Sequence, residues 1–304
     1  MDIKLDPGSY VVAVSGGVDS SALLHHLYVQ NWRARQLGKS YPKLIVAHFD
    51  HGIRVDSGQD RLLVQALAKA YGLPFVYAEG HLGIGASEAE ARKARYQFLR
   101  QVQASSNSRA IITAHHQDDL IETAILNILR GTGRKGLTSL TSQSDLHRPA
   151  LHLPKQALID YANDQGLKWR EDSTNHDPKY LRNYVRHYLL PKFDEVSKQH
   201  LRQILSELQT QNRELDEALT NVLHQQSKAG KIDRRWFNHL PHSVAKEVMA
   251  TWLRSNGWRQ LDRRKIDRLV VSAKTAKTGK LFPIFQGHNM KVGTKYLALT
   301  GIER

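Results

Sequence analysis

The sequence predicts an α/β fold in which helices cover both faces of a parallel, Rossmann-like sheet. In the first half of the chain, short apolar segments rich in β-branched residues alternate with helical patterns, as in βαβ units. These segments lack in–out alternation, which is typical of strands buried on both faces. Gly16 and Gly17 follow the first of them, at the sheet edge where such folds bind ligands.

Four strand–helix pairs account for the first 131 residues. Strands are predicted at 9–15, 43–50, 73–80 and 109–116, and helices at 20–32, 58–72, 87–105 and 117–131. Gly131 ends the fourth helix, and the Gly- and Ser-containing stretch 131–149 is predicted to be a loop.

The second half is predicted to be mainly helical and to end in short strands. Helices are expected at 153–167, 177–193, 197–227, about 241–256 and 262–273, with short strands turning at Gly287 and Gly293. We therefore expect a catalytic domain at 1–193, a long linking helix at 194–227 and a smaller, basic domain at 228–304.

Charge is concentrated in that last part. The net charge is +15, and residues 228–304 hold 17 Lys and Arg against five Asp and Glu, a net of +12. This asymmetry points to a polyanionic partner, most simply nucleic acid, whereas the alternative is a basic protein that is merely soluble. The chain has no cysteine, which excludes disulfides, thiolate zinc sites, iron–sulfur clusters and persulfide chemistry on its own side chains.

Neither a membrane span nor a secretion signal is expected. No stretch approaches the roughly 20 apolar residues that cross a bilayer, and Met1 is followed by Asp2, Lys4 and Asp6 rather than by a basic and then apolar leader. We expect a cytoplasmic protein without a membrane partner.

The segment SGGVDSS at 15–21 predicts an anion-binding loop. Glycines let the backbone approach an anion closely, while serine hydroxyls and the free N–H groups of the following helix supply donors. A Walker A loop would continue with Lys and then Ser or Thr, but here Val18 and Asp19 follow the glycines. The segment GTGRKG at 131–136 does not match the Walker A motif either, because Leu137 and Thr138 follow it. A plain glycine turn capped by Asp19 or Ser20 is the alternative.

Polar side chains also follow the second and fourth strands. In AHFDHGIR, the backbone at 47–49 can bind an adenine, and His48, Asp50 and His51 add polar groups. The alternative is that Asp50 caps a helix and that the histidines are hydrogen-bonded within the core. In HHQDDLIET, three carboxylates share one helix turn: Asp118, Asp119 and Glu122. Their repulsion favours a bound cation, either Mg²⁺ or a substrate ammonium. Acids that merely serve the helix dipole are the alternative.

A further charged helix, 88–99, places Glu88, Arg92, Arg95 and Tyr96 on related turns. Its two arginines can hold phosphates or RNA. A solvated helix with internal ion pairs is the alternative.

These motifs together resemble the N-type ATP pyrophosphatases, or PP-loop superfamily, with the adenine nucleotide alpha hydrolase-like fold. Among these, they are most similar to the tRNA(Ile)-lysidine synthetases. The matching patterns are SGGxDS, H-x-D-H-G-x-R at 48–54, E-x-x-A-R-x-x-R-Y at 88–96, T-A-H-H-x-D-D-x-x-E-T at 113–123, and W-x-x-D-x-x-N and R-N-x-x-R within 169–186. The resemblance covers about residues 9–193. Many bacterial members of that family carry a further C-terminal domain, whereas in this chain we expect one smaller domain after the catalytic one.

The resemblance implies an ATP-dependent ligase that joins free L-lysine to the 2-carbon of the wobble cytidine in the CAU anticodon of tRNA(Ile). The reaction passes through an adenylated cytidine, forms lysidine and changes codon specificity from AUG to AUA. ATP and Mg²⁺ are the implied cofactors, and a monomer or homodimer is expected.

The resemblance also assigns roles to residues. The residues that it implies bind ATP are Ser15, Gly16, Gly17, Val18, Asp19, Ser20, Ser21, His48, Asp50 and His115. The residues that it implies bind tRNA or lysine are His51, Arg54, Arg92, Arg95, Asn175, Arg182 and Arg186. Implied in the chemistry are Asp118, Asp119, Glu122, Asp172 and Arg130, with Asp118 and Asp119 as Mg²⁺ ligands.

Three alternatives remain open. A tRNA thiolase would need sulfur from a partner protein, because the chain has no cysteine. A small-molecule adenylating synthetase would turn over without tRNA. A non-catalytic tRNA-binding protein would not be expected to keep both SGGVDS and HHQDD intact.

Overall fold

The structure is a computed structural model, and it describes residues 1–52, 57–83, 85–170, 181–228, 230–258, 262–285 and 287–301. The chain divides into two compact units. The first comprises Met1–Arg130 and Thr138–Gln203, and the second comprises Gly131–Leu137 and Ile204–Arg304. Among the described residues, no helix combines the length and the apolar character needed to cross a membrane.

The first unit is built on a five-stranded parallel sheet. Its strands are β1 (Ser9–Ala13), β2 (Lys43–Asp50), β3 (Phe75–Glu79), β4 (Ala110–Ile112) and β5 (Leu146–His147), in the order β3-β2-β1-β4-β5. The predicted fold class is confirmed. The prediction of a loop at 131–149 is wrong at β5 and at a short helix, Arg134–Leu137. Elements of two and four residues are too short to show a period, and β5 is defined by its pairing with Ile111 and Ile112.

Helices pack on both faces of this sheet. The helices of the first unit up to Tyr184 are α1 (Val18–Gln36), α2 (Ser57–Ala70), α3 (Glu88–Ser105), α4 (Gln117–Leu129), α6 (Lys155–Asp164) and α7 (Leu181–Tyr184), while α5 (Arg134–Leu137) belongs to the second unit. Tyr10 and Val12 of β1 pack in one core with Leu23 of α1, and Val11 packs in another with Phe98 of α3. Successive side chains of β1 therefore enter opposite cores, which explains its continuous apolar sequence.

The chain after α7 changes its helical geometry. A π-helical turn at Val185–Leu189 follows α7, and a 3-10 turn at Leu190–Lys192 follows it. The N–H of Leu190 donates to the carbonyl of Val185, five residues back. Pro191 has no N–H to donate to the carbonyl four residues before it, so a regular α-helix cannot continue through this point. The sequence predicted one helix over 177–193; of this range the structure describes 181–193.

The second unit combines helices with an antiparallel sheet. After the long helix α8 (Glu195–Gln226), its elements are β6 (Ser227–Lys228), β7 (Lys231–Asp233), α9 (Arg234–His239), α10 (His242–Ser255), α11 (Arg263–Thr275), β8 (Leu281–Phe285), β9 (His288–Val292) and β10 (Tyr296–Thr300). The strand order is β6-β7-β10-β9-β8. Val248 of α10 and Val270 of α11 share a core with Met290 and Leu297 of the sheet. The prediction of a mainly helical part ending in short strands is confirmed.

Candidate active site

A cavity of about 360 Å³ opens at the carboxyl ends of β1, β2 and β4. It is lined by side chains from the segments that follow these strands and from α2 and α3. Ten residues predicted from the sequence line it together: Ser15, Gly17, Asp19, Ser20, His48, Asp50, His51, Arg95, His115 and Asp119. Parallel strands bring their carboxyl ends to one sheet edge, which is why residues about 100 positions apart meet here.

The loop between β1 and α1 is held by its own serines. Ser20 Oγ lies 3.1 Å from Ser15 Oγ and donates to the carbonyl of Gly17 at 3.1 Å, while the N–H of Ser15 donates to Ser20 Oγ at 3.2 Å. Gly16 has φ +95°, a conformation that side-chain-bearing residues rarely adopt. Gly17 is the N-cap of α1 and supplies no side-chain cap, so the first N–H groups of α1 remain available to an anion. Val18 begins α1, and Ser21 is buried beneath the loop.

His116 connects this loop to the start of α4. Its Nε2 lies 3.6 Å from Asp19 Oδ2 and 3.4 Å from Asp119 Oδ2, and its backbone N–H donates to Asp119 Oδ2 at 3.0 Å. Burial opposes the charge of the imidazolium, but the hydrogen bond to Asp19 and the negative charge of Asp119 outweigh it, so the pKa of His116 is raised. The sequence interpretation assigned His115 but not His116; the adjacent pair of histidines was the available signal.

Glu122 is paired with arginines from the segment after β5. Arg186 donates from Nε to Oε1 at 2.6 Å and from Nη2 to Oε2 at 2.9 Å, and Arg182 donates from Nε to Oε2 at 3.2 Å. Arg186 Nη2 also donates to Asp119 Oδ1 at 3.2 Å. Glu122 is only 1% exposed, so these contacts neutralise a buried carboxylate. The carboxylates of Asp119 and Glu122, expected to need a bound cation, thus have cationic partners within the protein.

Two neutral imidazoles border the cavity. His48 Nδ1 lies 2.9 Å from the carbonyl oxygen of Val14, to which it donates, and burial lowers the pKa of His48. His48 Nε2 is buried and has no hydrogen-bond partner among the described residues, which leaves an acceptor for a ligand. Burial lowers the pKa of His115 to about 3, and its Nδ1 lies 2.8 Å from Thr113 Oγ1.

Comparison with known sequences decides the family. Residues 4–193, which contain the loop, the cavity and the Glu122 cluster, match the PP-loop domain. The chain belongs to the PP-loop domain family. We call residues 15–21 the PP-loop.

Curated relatives are similar over the same part of the chain. Over 200 residues the chain is 38% identical to the tRNA(Ile)-lysidine synthase of Exiguobacterium sibiricum, covering 64% of this chain and 46% of that protein. Over 192 residues it is 38% identical to the tRNA(Ile)-lysidine synthase of Thermus thermophilus, covering 61% and 36%. The chain thus spans less than half the length of these relatives. The family resemblance carried by the motifs is confirmed.

A solved structure shares the fold. The U34-tRNA thiolase of Methanococcus maripaludis superposes with a TM-score of 0.53 over 67% of this chain and 73% of that chain, at 16% identity. At this identity the similarity shows the fold alone.

An ion pair that the sequence interpretation missed lies behind the PP-loop. Arg170 Nε donates to Asp60 Oδ1 at 2.8 Å, and the N–H of Arg170 donates to the carbonyl of Gly16 at 3.0 Å. Asp60 lines the cavity. These contacts tie the strained glycine to α2 and to the stretch after α6. In the sequence, only the place of Asp60 in the first turn of a predicted helix hinted at this ion pair. Nothing but its position next to Trp169 pointed to Arg170.

The other predicted residues fall into three groups. Arg95 lines the cavity, and Arg92 and Arg95 lie with their guanidinium carbons 4.9 and 5.5 Å from the ring centroid of Tyr96. Asp118 does not line the cavity, and Arg130 is exposed at the opposite end of α4. Arg54, Asp172 and Asn175 lie outside the described residues.

The PP-loop cavity also offers oxygen ligands to a cation. Asp19 Oδ1 is buried and has no hydrogen-bond partner among the described residues, and Asp119 lines the same cavity. The part of the chain that the structure describes has no group of three or more His, Asp or Glu side chains able to hold a metal by itself. This donor set fits Mg²⁺, which takes one or two carboxylates and completes its shell with phosphate oxygens and water.

Proposed function

We propose that the protein joins lysine to the 2-carbon of the wobble cytidine in the CAU anticodon of tRNA(Ile), at the expense of ATP, and so forms lysidine. The observation that carries this proposal is the 38% identity over 200 residues to a curated tRNA(Ile)-lysidine synthase. On this proposal, residues 1–193 are the catalytic part and residues 228–304 the basic, tRNA-binding part.

The first step is transfer of AMP to the 2-oxygen of cytidine, which breaks the bond between the α- and β-phosphates of ATP and releases pyrophosphate. The PP-loop supplies backbone N–H groups and the hydroxyl of Ser15 to the leaving pyrophosphate, while Ser20 holds the loop through its bond to the carbonyl of Gly17. Asp19, whose Oδ1 has no partner among the described residues, would hold Mg²⁺, which would neutralise charge on the phosphates when bound. The open acceptor His48 Nε2 is suited to an amino group such as that of adenine.

The second step is attack of the lysine amine on the 2-carbon, with AMP as leaving group. A free lysine amine has a pKa of about 10.4, so it arrives as an ammonium that must lose a proton. Asp119 lines the cavity; burial opposes its ionisation, but the charges of His116 and its neighbours outweigh this and keep its pKa low. We assign Asp119 to binding the ammonium and guiding its proton away.

The other carboxylates receive different roles. Both oxygens of Glu122 accept hydrogen bonds from Arg182 and Arg186, so Glu122 orients these arginines. Arg95 lines the cavity and has no ion pair or hydrogen bond with any described residue. Its guanidinium therefore remains available to a phosphate of AMP or of the tRNA.

A lysine-transfer assay tests the proposal. Purified protein is incubated with ATP, Mg²⁺, radiolabelled lysine and an isoleucine tRNA transcript with a CAU anticodon, beside a methionine tRNA control. Label on the isoleucine tRNA alone supports the proposal. Pyrophosphate release that depends on tRNA but leaves no label would indicate another PP-loop tRNA-modifying enzyme, and turnover without tRNA would indicate a small-molecule synthetase.

A further inference from the structure

The edge strand β8 of the antiparallel sheet in the second unit exposes an aromatic ring beside apolar side chains. Along β8, Leu281, Pro283 and Phe285 are exposed, whereas Ile284 is buried in the core. Leu281 is 54% exposed and Phe285 is 55% exposed. Alternation places Leu281 and Pro283 on the same face of the sheet. The pairing shifts register between Pro283 and Phe285, so Phe285 lies opposite His288 at the end of β8, beyond this irregularity.

Strand register adds polar and basic groups to this face. Leu281 lies opposite Lys291 of β9, which in turn lies opposite Ala298 of β10, and Pro283 lies opposite Asn289. Lys291 is exposed. Lys265 of α11 places its Nζ 5.8 Å from the ring centroid of Phe285. We call the side chains of Leu281, Pro283, Phe285 and Lys291 the β8–β9 face.

The sequence of β8, β9 and the turns beside them carries only basic charges. Between Asp267 and Glu303 there is no Asp or Glu, and the six charged residues are all basic: Arg268, Lys274, Lys277, Lys280, Lys291 and Lys295. Lys277, Lys280 and Lys295 are exposed. This stretch therefore favours a negatively charged ligand.

Charge alone would not explain the exposed ring. A helical RNA backbone is bound through phosphate contacts and needs no aromatic side chain. Unpaired nucleotides offer both phosphates and flat base surfaces, and proteins bind them by combining basic grooves with aromatic stacking platforms.

We propose that the β8–β9 face binds unpaired nucleotides of the RNA substrate, with a base stacked on Phe285 and phosphates held by Lys265 and Lys291. This inference rests on the proposed function, because it takes the substrate to be RNA. It goes further in naming the sheet face and the single-stranded part of the RNA as partners.

Equilibrium binding of the full chain to a single-stranded oligouridylate, and to an RNA duplex of equal length, tests this site. Phe285→Ala should weaken single-strand binding by about 5- to 150-fold, as expected for loss of one stacked base, with little effect on the duplex. The slope of log affinity against log salt should stay unchanged, because no cation is removed. Lys291→Gln should instead reduce that slope by about 0.7, and Phe285→Trp should retain binding.

Leu281→Ala is the matched control, since Leu281 is equally exposed on the same strand but cannot stack. Equal losses in Leu281→Ala and Phe285→Ala would overturn the proposal in favour of an apolar protein-docking surface. Unchanged single-strand binding by Phe285→Ala would also overturn it. Failure of lysine transfer with these binding differences intact would refute the proposed reaction and leave the RNA site standing.

Discussion

Arg186 holds both carboxylate oxygens of Glu122, with Nε 2.6 Å from Oε1 and Nη2 2.9 Å from Oε2. The two residues are 64 positions apart in the sequence and join α4 to the π-helical turn. Such a two-point contact fixes the orientation of both side chains as well as their charge. The acidic end of α4 is thereby organised before any ligand arrives.

We expect Arg186→Leu to destabilise the protein by about 3–5 kcal/mol, because it leaves Glu122 buried without its main partner. Urea unfolding followed by circular dichroism measures this change. The double variant Arg186→Leu with Glu122→Leu should recover part of the loss. Arg92→Leu is the control, since Arg92 has no ion pair with any described residue; a similar loss there would refute the special role of the pair.

His116 should make stability depend on pH in a defined direction. Its pKa is raised in the folded protein, so its contribution is fully present below about pH 6.5, the unfolded value, and is lost as pH rises through the folded pKa. The free energy of unfolding lost in His116→Asn should therefore be larger at about pH 6 than at pH 9.

His115 provides the opposite control. Its pKa is lowered to about 3 by burial, so the folded state binds fewer protons there, and its contribution becomes less favourable as pH falls below about 6.5. The same measurement on His115→Asn should show the reverse trend. Identical trends in both variants would contradict the assigned contacts of His116.

Gly16→Ala should weaken ATP binding. The added Cβ meets no atom closer than 3.5 Å, so steric overlap is not the cause. The substitution instead costs about 1–2 kcal/mol of conformational free energy, because an alanine rarely adopts φ +95°. If the PP-loop relaxes to relieve this strain, ATP affinity falls by about tenfold per 1.4 kcal/mol. Gly38→Ala, with φ +63° and open space, should cost similar stability but leave the ATP dissociation constant unchanged, as isothermal calorimetry would show.

Asp119→Asn should preserve ATP binding and reduce lysine transfer by about 100- to 10,000-fold, the usual range for a proton-transfer residue. An amide still accepts the hydrogen bond from the backbone of His116, so the helix start is kept. Single-turnover transfer separates this effect from binding. Asp118→Asn, one residue away but outside the cavity, should retain most activity; equal losses would argue against Asp119 as the group at the amine.

Most of the first unit was predictable from local patterns. The four longest strands of the parallel sheet and α1 to α4 follow from periods that extend over five or more residues, or from buried runs between turn signals. β5 and the π-helical turn were not predictable in this way. The former has only two residues. The latter depends on Pro191 and on the burial of Val185 in a core with Ile121 and Leu126 of α4.

The sequence by itself determined the PP-loop, the carboxylates after β4 and the basic C-terminal part, because each depends on residue types in one short stretch. Only the tertiary structure decided which charges meet. The pairs Arg186–Glu122 and Arg170–Asp60 join residues 64 and 110 positions apart, and His116 bridges Asp19 and Asp119. Such contacts depend on the packing of separate strands and helices, and no local period encodes which carboxylate faces the cavity and which is buried against an arginine.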